Sequence, residues 1–205
     1  MDNPLLGRDS LPQFARIRAE HVEPAVRELL AANRARIGEL AALAALAAPT
    51  FATVVEPLEE LHHGIARTWS PVSHLNAVLN SEALRAAYNV CLPLLSAYQT
   101  DLAQSEPLYR AYRTIAEQQG AALAPVQRQL IEHAVRDFRL TGVGLPPRRK
   151  ERFKTAMLEL AQLQARFEEN VLDATNAWSR HVTDRHELRG LNEMLIEHVL
   201  LEACL

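Results

Sequence analysis

Apolar residues in this 205-residue chain recur at steps of three and four along almost its whole length. That period decides most of what the chain can fold into. A three- or four-residue step returns a side chain to the same face of an α-helix, whereas a half-buried strand needs strict alternation. No period-two run and no Asn-Gly or Asp-Gly hairpin signal breaks the pattern. Glycine, which weakens helix interiors, occurs only 7 times, and 48% of the residues are hydrophobic, enough to form a buried core. The expectation is an all-α fold, a single helical domain over residues 1–205 built as an elongated multi-helix bundle.

Proline and small polar residues punctuate the pattern. The first helix is expected to start near Val22, with Pro24 in its first turn, where a missing N–H has no helical partner. Val22, Val26, Leu29, Leu30, Ile37, Leu40 and Ala44 form its stripe, and Pro49 ends it. Thr50 caps the next helix, which carries Val54, Leu58, Leu61 and Ile65. Pro57 and Pro71 each remove an internal hydrogen bond, so a bend or break is expected near Ser70. Ser81 caps a third segment, to about Ala103, interrupted by Pro93, and Ser105 precedes a short helix through Ile115. After Pro125 comes a helix with Val126, Leu130, Ala134 and Phe138 on one face and Gly142 at a left-handed C-cap. The stiff Leu145-Pro146-Pro147 connector leads into the longest helix, near 147–181, with Phe153, Met157, Leu160, Phe167, Val171, Ala174 and Trp178 in register. Thr183 and Asp184 cap a short turn, and Asn192 caps a final apolar helix to Leu205.

Charge and cysteine usage exclude several classes. A net charge of -3 gives no global basic field for nucleic acid or an anionic membrane. The local cluster of Arg148, Arg149, Lys150, Arg152 and Lys154 is broken by Glu151 and reads as a solvated helix start. Cys91 and Cys204 supply neither a disulfide framework nor metal-ligand spacing, and Cys91 reads as a buried filler in an apolar helix. The Met1-Asp2-Asn3-Pro4 start is not a secretory signal, and the Leu40–Ala48 apolar stretch is too short to span a bilayer. The expected address is the reducing cytoplasm.

Three groupings of chemical side chains stand out. His186-Glu187-Leu188-Arg189-Gly190 begins like a zinc-peptidase helix, in which two histidines one turn apart share a metal and the glutamate activates its water. The second histidine position is Gly190, so one imidazole is left and no tight site follows. Glu59-Glu60-Leu61-His62-His63 holds two overlapping Glu-x-x-His pairs, the spacing of di-iron bundles, but those need the pair on two helices. Glu59 with His63, and His198 with Glu202, read as helix-surface pairs. Ser70-Pro71-Val72-Ser73-His74-Leu75-Asn76 is a polar cluster at a proline, read as groups satisfying freed backbone or as a ligand contact. On its own residues the chain reads as a helical domain without an assembled active site.

An ordered series of short motifs carries a family resemblance. Asn3-Pro4-Leu5-Leu6, Leu11-Pro12, Phe14, Glu20-His21-Val22 and Pro24-Ala25-Val26 open it. The Ser70–Asn76 segment, Asn80-Ser81, Leu84-Arg85, Ala87-Tyr88 and Leu92–Ser96 follow. Leu108-Tyr109, Ala111-Tyr112-Arg113, Arg136-Asp137-Phe138, Leu140, Gly142 and Gly144-Leu145-Pro146 continue it, and Asn170–Thr175 with Trp178 closes the strong part. Over residues 1–190 the chain resembles the N-terminal region of the oligopeptidase A branch of the thimet oligopeptidase family. That resemblance implies a cytoplasmic zinc endopeptidase for short peptides, whose two mostly helical halves enclose a deep channel. It also implies that the zinc-binding His-Glu-x-x-His helix belongs to a C-terminal catalytic half not included in this sequence. No catalytic or metal residue carries over, and this chain holds no cofactor of its own. Its role would be a channel wall that limits substrate size, with Ser73, His74 and Asn76 as channel contacts. Its partners would be short peptides and the C-terminal catalytic domain. The alternative is a stand-alone helical binding or assembly module, docking on a separate catalytic half or forming a homo-oligomer through the C-terminal helix.

Overall fold

The computed structural model of the chain describes residues 3–7, 11–46, 48–79 and 81–196. Among them the backbone forms α1 (Ala19–Leu46), α2 (Glu56–Val78), α3 (Glu82–Ala103), α4 (Glu106–Gln119), α5 (Pro125–Leu140) and α6 (Pro147–Ala177). Short 3-10 turns cover Phe14–Arg16 and Arg185–Leu188, and a wider π-helical turn, Phe51–Val55, runs into α2. The described residues contain no strand beyond one isolated bridge between Arg189 and Leu191. The fold is an all-α multi-helix bundle. The chain divides into two compact units, Met1–Phe167 and Glu168–Leu205.

Local chemistry sets most of the boundaries. Thr50 Oγ1 accepts from the Thr53 N–H at 3.1 Å, while the Thr50 N–H donates to Thr53 Oγ1 at 3.0 Å, a reciprocal cap that starts the π turn. Ser81 Oγ accepts from the Leu84 N–H and starts α3. At the far end of α5, Gly142 adopts φ +81°. Its N–H reaches the Arg139 carbonyl at 3.1 Å and the Val143 N–H reaches the Phe138 carbonyl at 3.0 Å, a complete Schellman stop.

Three expectations from the sequence are corrected. α1 begins at Ala19 rather than near Val22, because the Arg18 N–H donates to His21 Nδ1 at 3.1 Å and the His21 N–H returns to the Arg18 carbonyl at 3.0 Å. That reciprocal cap places Pro24 inside the helix, on its exposed side, where solvent can hydrate the freed carbonyl. Pro71 and Pro93 also lie inside α2 and α3 without breaking them, since burial of each helix's apolar face outweighs one missing bond. Finally, Val126 is 77% exposed while Ile131 and Phe138 are the buried residues of α5. Four-residue steps each advance by about 40°, so over three of them Val126 turns about 120° away from Phe138.

The first unit has two cores. In one, Val22, Val26 and Leu30 of α1 pack with Val72 and Leu75 of α2 and with Cys91, Leu95 and Tyr98 of α3, closed over by Leu5 and Ile17. In the other, Val54, Val55 and Leu58 pack with Leu108, Tyr112 and Ile115 of α4, with Ile131 and Phe138 of α5, and with Val143. Ile37 and Leu102 pack against both. α6 buries no residue fully. Its first turns are tied by ion pairs from Lys150 to Glu106 at 2.9 Å and from Lys154 to Asp101 at 2.6 Å. In the second unit Asp184 caps the turn at Arg185 by accepting from the His186 N–H at 2.9 Å. Asn192 Oδ1 accepts from the Leu195 N–H at 2.9 Å, as a cap should, but the remainder of the final helix lies outside the described residues.

Candidate functional site

The segment before α1 builds one wall of a groove in the first unit. Asn3 turns the chain, its Oδ1 accepting from the Leu5 N–H at 3.0 Å and its amide donating to the His21 carbonyl at 2.9 Å. Buried Thr68 then donates to the Leu5 carbonyl at 3.1 Å, and Arg67 donates to the Gly7 carbonyl at 3.3 Å. These bonds strap the segment across α2 and leave a groove of about 1010 Å³. Leu6, Leu11 and Phe14 line one side; His63, Arg67, Ser70 and His74 of α2 line the other. His74 is exposed and stands edge-on to the Phe14 ring, with centroids 5.7 Å apart. Exposed imidazoles and a guanidinium beside apolar rings can offer hydrogen bonds and stacking to a peptide, but they hold no assembled nucleophile, base and oxyanion hole.

Of the three expected channel contacts Ser73, His74 and Asn76, His74 alone lines this groove, beside Ser70 of the same cluster and Glu60 and His63 of the Glu-x-x-His grouping. Ser73 and Asn76, three residues apart, share a helix face, and His74 lies on the opposite side of α2 from Asn76. Both are half-buried, and Asn76 Oδ1 is a buried acceptor with no hydrogen-bond partner among the described residues. The three residues are therefore not brought together. Sequence reading missed Phe14, His63 and Arg67 as groove residues, because the strap that joins them is non-local: the Thr68–Leu5 bond spans 63 positions. The legible signal was the Asn3-Pro4 turn ahead of an apolar pair.

A second groove, of about 560 Å³, opens where α2, α3, α4 and α5 diverge between the two cores. Leu58, Ile65, Trp69, Leu102 and Phe138 form its apolar walls; Glu59, His62, Gln99 and Asp137 stand at the rim. Trp69 stacks on Tyr88 at 4.7 Å and so fixes one wall. Glu59 Oε1 lies 3.5 Å from His62 Nδ1, so the surface pair forms three residues apart rather than with His63.

Several titratable groups are committed to structure. Asp101 receives both Lys154 and, at 2.7 Å, Arg34. Burial alone would raise its carboxyl; the hydrogen bonds from Lys154 and Arg34 outweigh that and hold it below the usual carboxylate range. A hydrogen bond from Lys150 likewise depresses Glu106. Thus two members of the basic cluster near 150 are joined to carboxylates of α3 and α4. Burial, with Glu23 adding to it, pushes the Cys91 thiol up to about 11, so it stays protonated and is no nucleophile at neutral pH. Tyr112 is raised mainly by burial.

Among the described residues no three His, Cys, Asp or Glu side chains are grouped to hold a metal. His186 is exposed on a 3-10 turn, and its neighbour Glu187 is ion-paired with Arg180. His198 and Glu202 lie outside the described residues. No helix of the described residues is long and apolar enough to cross a membrane.

Comparison with known proteins places this geometry in a lineage. Residues 26–150 match the family model described as neurolysin/thimet oligopeptidase, N-terminal domain. Oligopeptidase A of Haemophilus influenzae is 40% identical over 200 residues, covering 96% of this chain and 29% of that protein. Oligopeptidase A of Salmonella typhimurium is 42% identical over 195 residues, covering 94% and 28%. Oligopeptidase A of Escherichia coli is 42% identical over 194 residues, with the same 94% and 28% coverage. The chain spans less than a third of the length of these relatives.

Proposed function

Because the chain belongs to the neurolysin/thimet oligopeptidase N-terminal domain family, we propose that it is the non-catalytic front part of a zinc-dependent, oligopeptidase A-like endopeptidase of the cytoplasm. Its substrates are short peptides, and its partner is the C-terminal part that carries the metal and the reacting groups. One observation carries the reading: the match to Oligopeptidase A runs through 96% of this chain yet covers only 29% of the relative.

In this reading the domain walls the approach to the catalytic centre and limits substrate size. A rigid helical wall acts by excluding folded chains and by ordering an extended one before chemistry, which lowers the entropy lost on reaching the transition state. Exposed His74, with Phe14 beside it, is the best placed of the candidate contacts; Ser73 and Asn76 contribute from another face of α2.

The test compares the purified chain with a fusion in which it replaces the matching region of the Escherichia coli relative. Both are given zinc and a short quenched fluorogenic peptide, with and without chelator. The chain alone should be silent, and the fusion should turn over in a chelator-sensitive way. Chelator-sensitive turnover by the chain alone would overturn the non-catalytic reading and make His186, Glu187 and His198 the first residues to replace. Within an active fusion, His74→Ala should raise KM roughly three- to tenfold, the worth of one hydrogen bond, with kcat little changed. An unchanged KM would remove His74 from the channel.

A further inference from the structure

The groove of about 560 Å³ among α2, α3, α4 and α5 is large enough for a small organic molecule. It meets the groove beside His74 only at Ala66 and Ser70 of α2, so the channel-wall reading leaves it unused. Three- and four-residue steps bring Glu59, His62, Ile65 and Trp69 onto one face of α2. An acid, an imidazole, an aliphatic chain and an indole therefore share one wall. Stacking on Tyr88 at 4.7 Å holds the indole in place. Phe138 of α5, edge-on to Tyr112 of α4 at 5.5 Å, adds further aromatic surface.

The charge at this groove favours one sign. Glu59 and Asp137 are its carboxylates, His62 is its imidazole, and no described lysine or arginine lines it. Arg136 pairs with Asp137 at 2.8 Å, and His62, 3.5 Å from Glu59, neutralises that acid only when protonated. Burial raises the Tyr112 phenol and the charge of Glu59 raises it further, so the field of the acid reaches the wall. The nearby Arg34, 5.5 Å over the Tyr98 ring, is itself bound to Asp101 at 2.7 Å. Tyr98 also lines the groove, and its Oη is buried without a hydrogen-bond partner among the described residues. Asn33 beside it donates instead to the Leu61 carbonyl at 3.4 Å. Aromatic faces attract a cation, and a phenol oxygen accepts from its N–H groups. An anion would meet two like charges, and a pure hydrocarbon would leave the phenol unpaired. We propose that this groove binds a small organic ammonium ion, its apolar part against Ile65, Trp69 and Phe138 and its charge at the acidic rim of Glu59 and Asp137. The site stands on its own lining and does not need the peptidase reading.

The test uses phenylbutylamine, a monocation at neutral pH, with phenylbutanol and phenylbutanoate as its neutral and anionic counterparts. Calorimetry gives the affinities. In a Trp178→Phe background Trp69 is the only tryptophan, so its emission reports binding at the wall. The amine should bind with a Kd of about 1 mM or tighter, the reach of so small a molecule, and should shift the Trp69 emission. It should bind at least about threefold more tightly than the alcohol, the worth of partly exposed charge pairs, and more tightly still than the carboxylate. Glu59→Gln should weaken the amine by about threefold and leave the alcohol unchanged. Gln99→Lys, which sets a fixed cation at an exposed rim position of α3, should do the same and covers the case that the change at 59 disturbs α2. Equal affinity for the amine and the alcohol would overturn the proposal, because the groove would then be apolar without regard to charge. So would the absence of heat and of any Trp69 response up to about 10 mM amine. Amine binding that survives both substitutions lies elsewhere and also overturns it. An active fusion to the Escherichia coli remainder that no longer binds the amine would show the groove closed in the whole polypeptide; that result sinks the site and leaves the peptidase reading standing.

Discussion

At the scale of single residues, charge placement decides more than charge count. Asp101 accepts Arg34 from α1 and Lys154 from α6, so one carboxylate pins two helices to α3. Because its folded pKa is depressed, its stabilisation is fully present above the unfolded value of about 4 and is lost as pH falls through the folded pKa. The side chain is 37% exposed, so solvent screening holds the effect to about 1 kcal/mol or less. Asp101→Asn should therefore lower urea stability by up to about that amount at pH 7 and low salt, and by progressively less below about pH 4. A deficit equal at pH 7 and pH 3 would show that lost packing, not charge, is the cause. Cys91 makes the complementary point. It was legible as a filler because an apolar stripe surrounds it in sequence, and the structure buries it fully. The site was less legible. His74 was found from its polar neighbours, yet its groove partner Phe14 lies 60 positions away across a fold that no local pattern encodes.

At the scale of elements, the readable signals were those whose chemistry is local. Thr50 and Ser81 cap where a short oxygen side chain precedes an apolar period, Asp184 caps a short polar turn, and Gly142 stops α5 because the stop needs a left-handed residue. What was not legible depends on tertiary packing. The prolines at 71 and 93 argue locally for breaks, but the helices run on because Val72, Leu75, Cys91 and Leu95 are buried on either side of them. The start of α1 was hidden because histidine is an unusual cap, and the exposure of the α6 stripe was not legible because periodicity reports a face without saying what covers it. The α5 stop supplies a test. With φ +81°, any Cβ at 142 is strained, and it would stand 2.5 Å from Leu145 Cδ1. Gly142→Ala should cost about 1–2 kcal/mol by chemical denaturation. Gly144, with open space around a would-be Cβ, is the control, and its alanine variant should lie within about 0.5 kcal/mol of the parent. Equal effects at the two positions would mean that the Schellman stop contributes nothing particular to stability.

At the scale of the first unit, two cores raise the question whether they fold as one. Each has its own set of buried side chains, but Ile37 of α1 and Leu102 of α3 pack against both, and α1, α2 and α3 each run past the junction. A helix that is half in one core and half in the other cannot lose one half without exposing backbone and apolar surface at the junction, so coupling through continuous helices is expected to exceed what two contact residues supply. The groove between α2, α3, α4 and α5 does not separate the cores, because Leu102 and Trp69 form its walls while remaining packed on the first core. This predicts a long-range effect with a clean reporter. The chain has 2 tryptophans, Trp69 and the 73%-exposed Trp178, so Trp178→Phe leaves Trp69 as a probe of the first core. Ile115→Ala, at a fully buried position of the second core, should cost about 2–5 kcal/mol and lower the thermal midpoint by roughly 5–15 °C. If the cores are one cooperative unit, Trp69 fluorescence and far-UV circular dichroism should shift together by that amount, although residue 115 is in the other core. If the Trp69 transition stays at the parental midpoint while helical signal is lost early, the cores unfold separately. The unit would then act as two bodies hinged at Ile37 and Leu102, and a rigid channel wall would no longer be a fitting description of it.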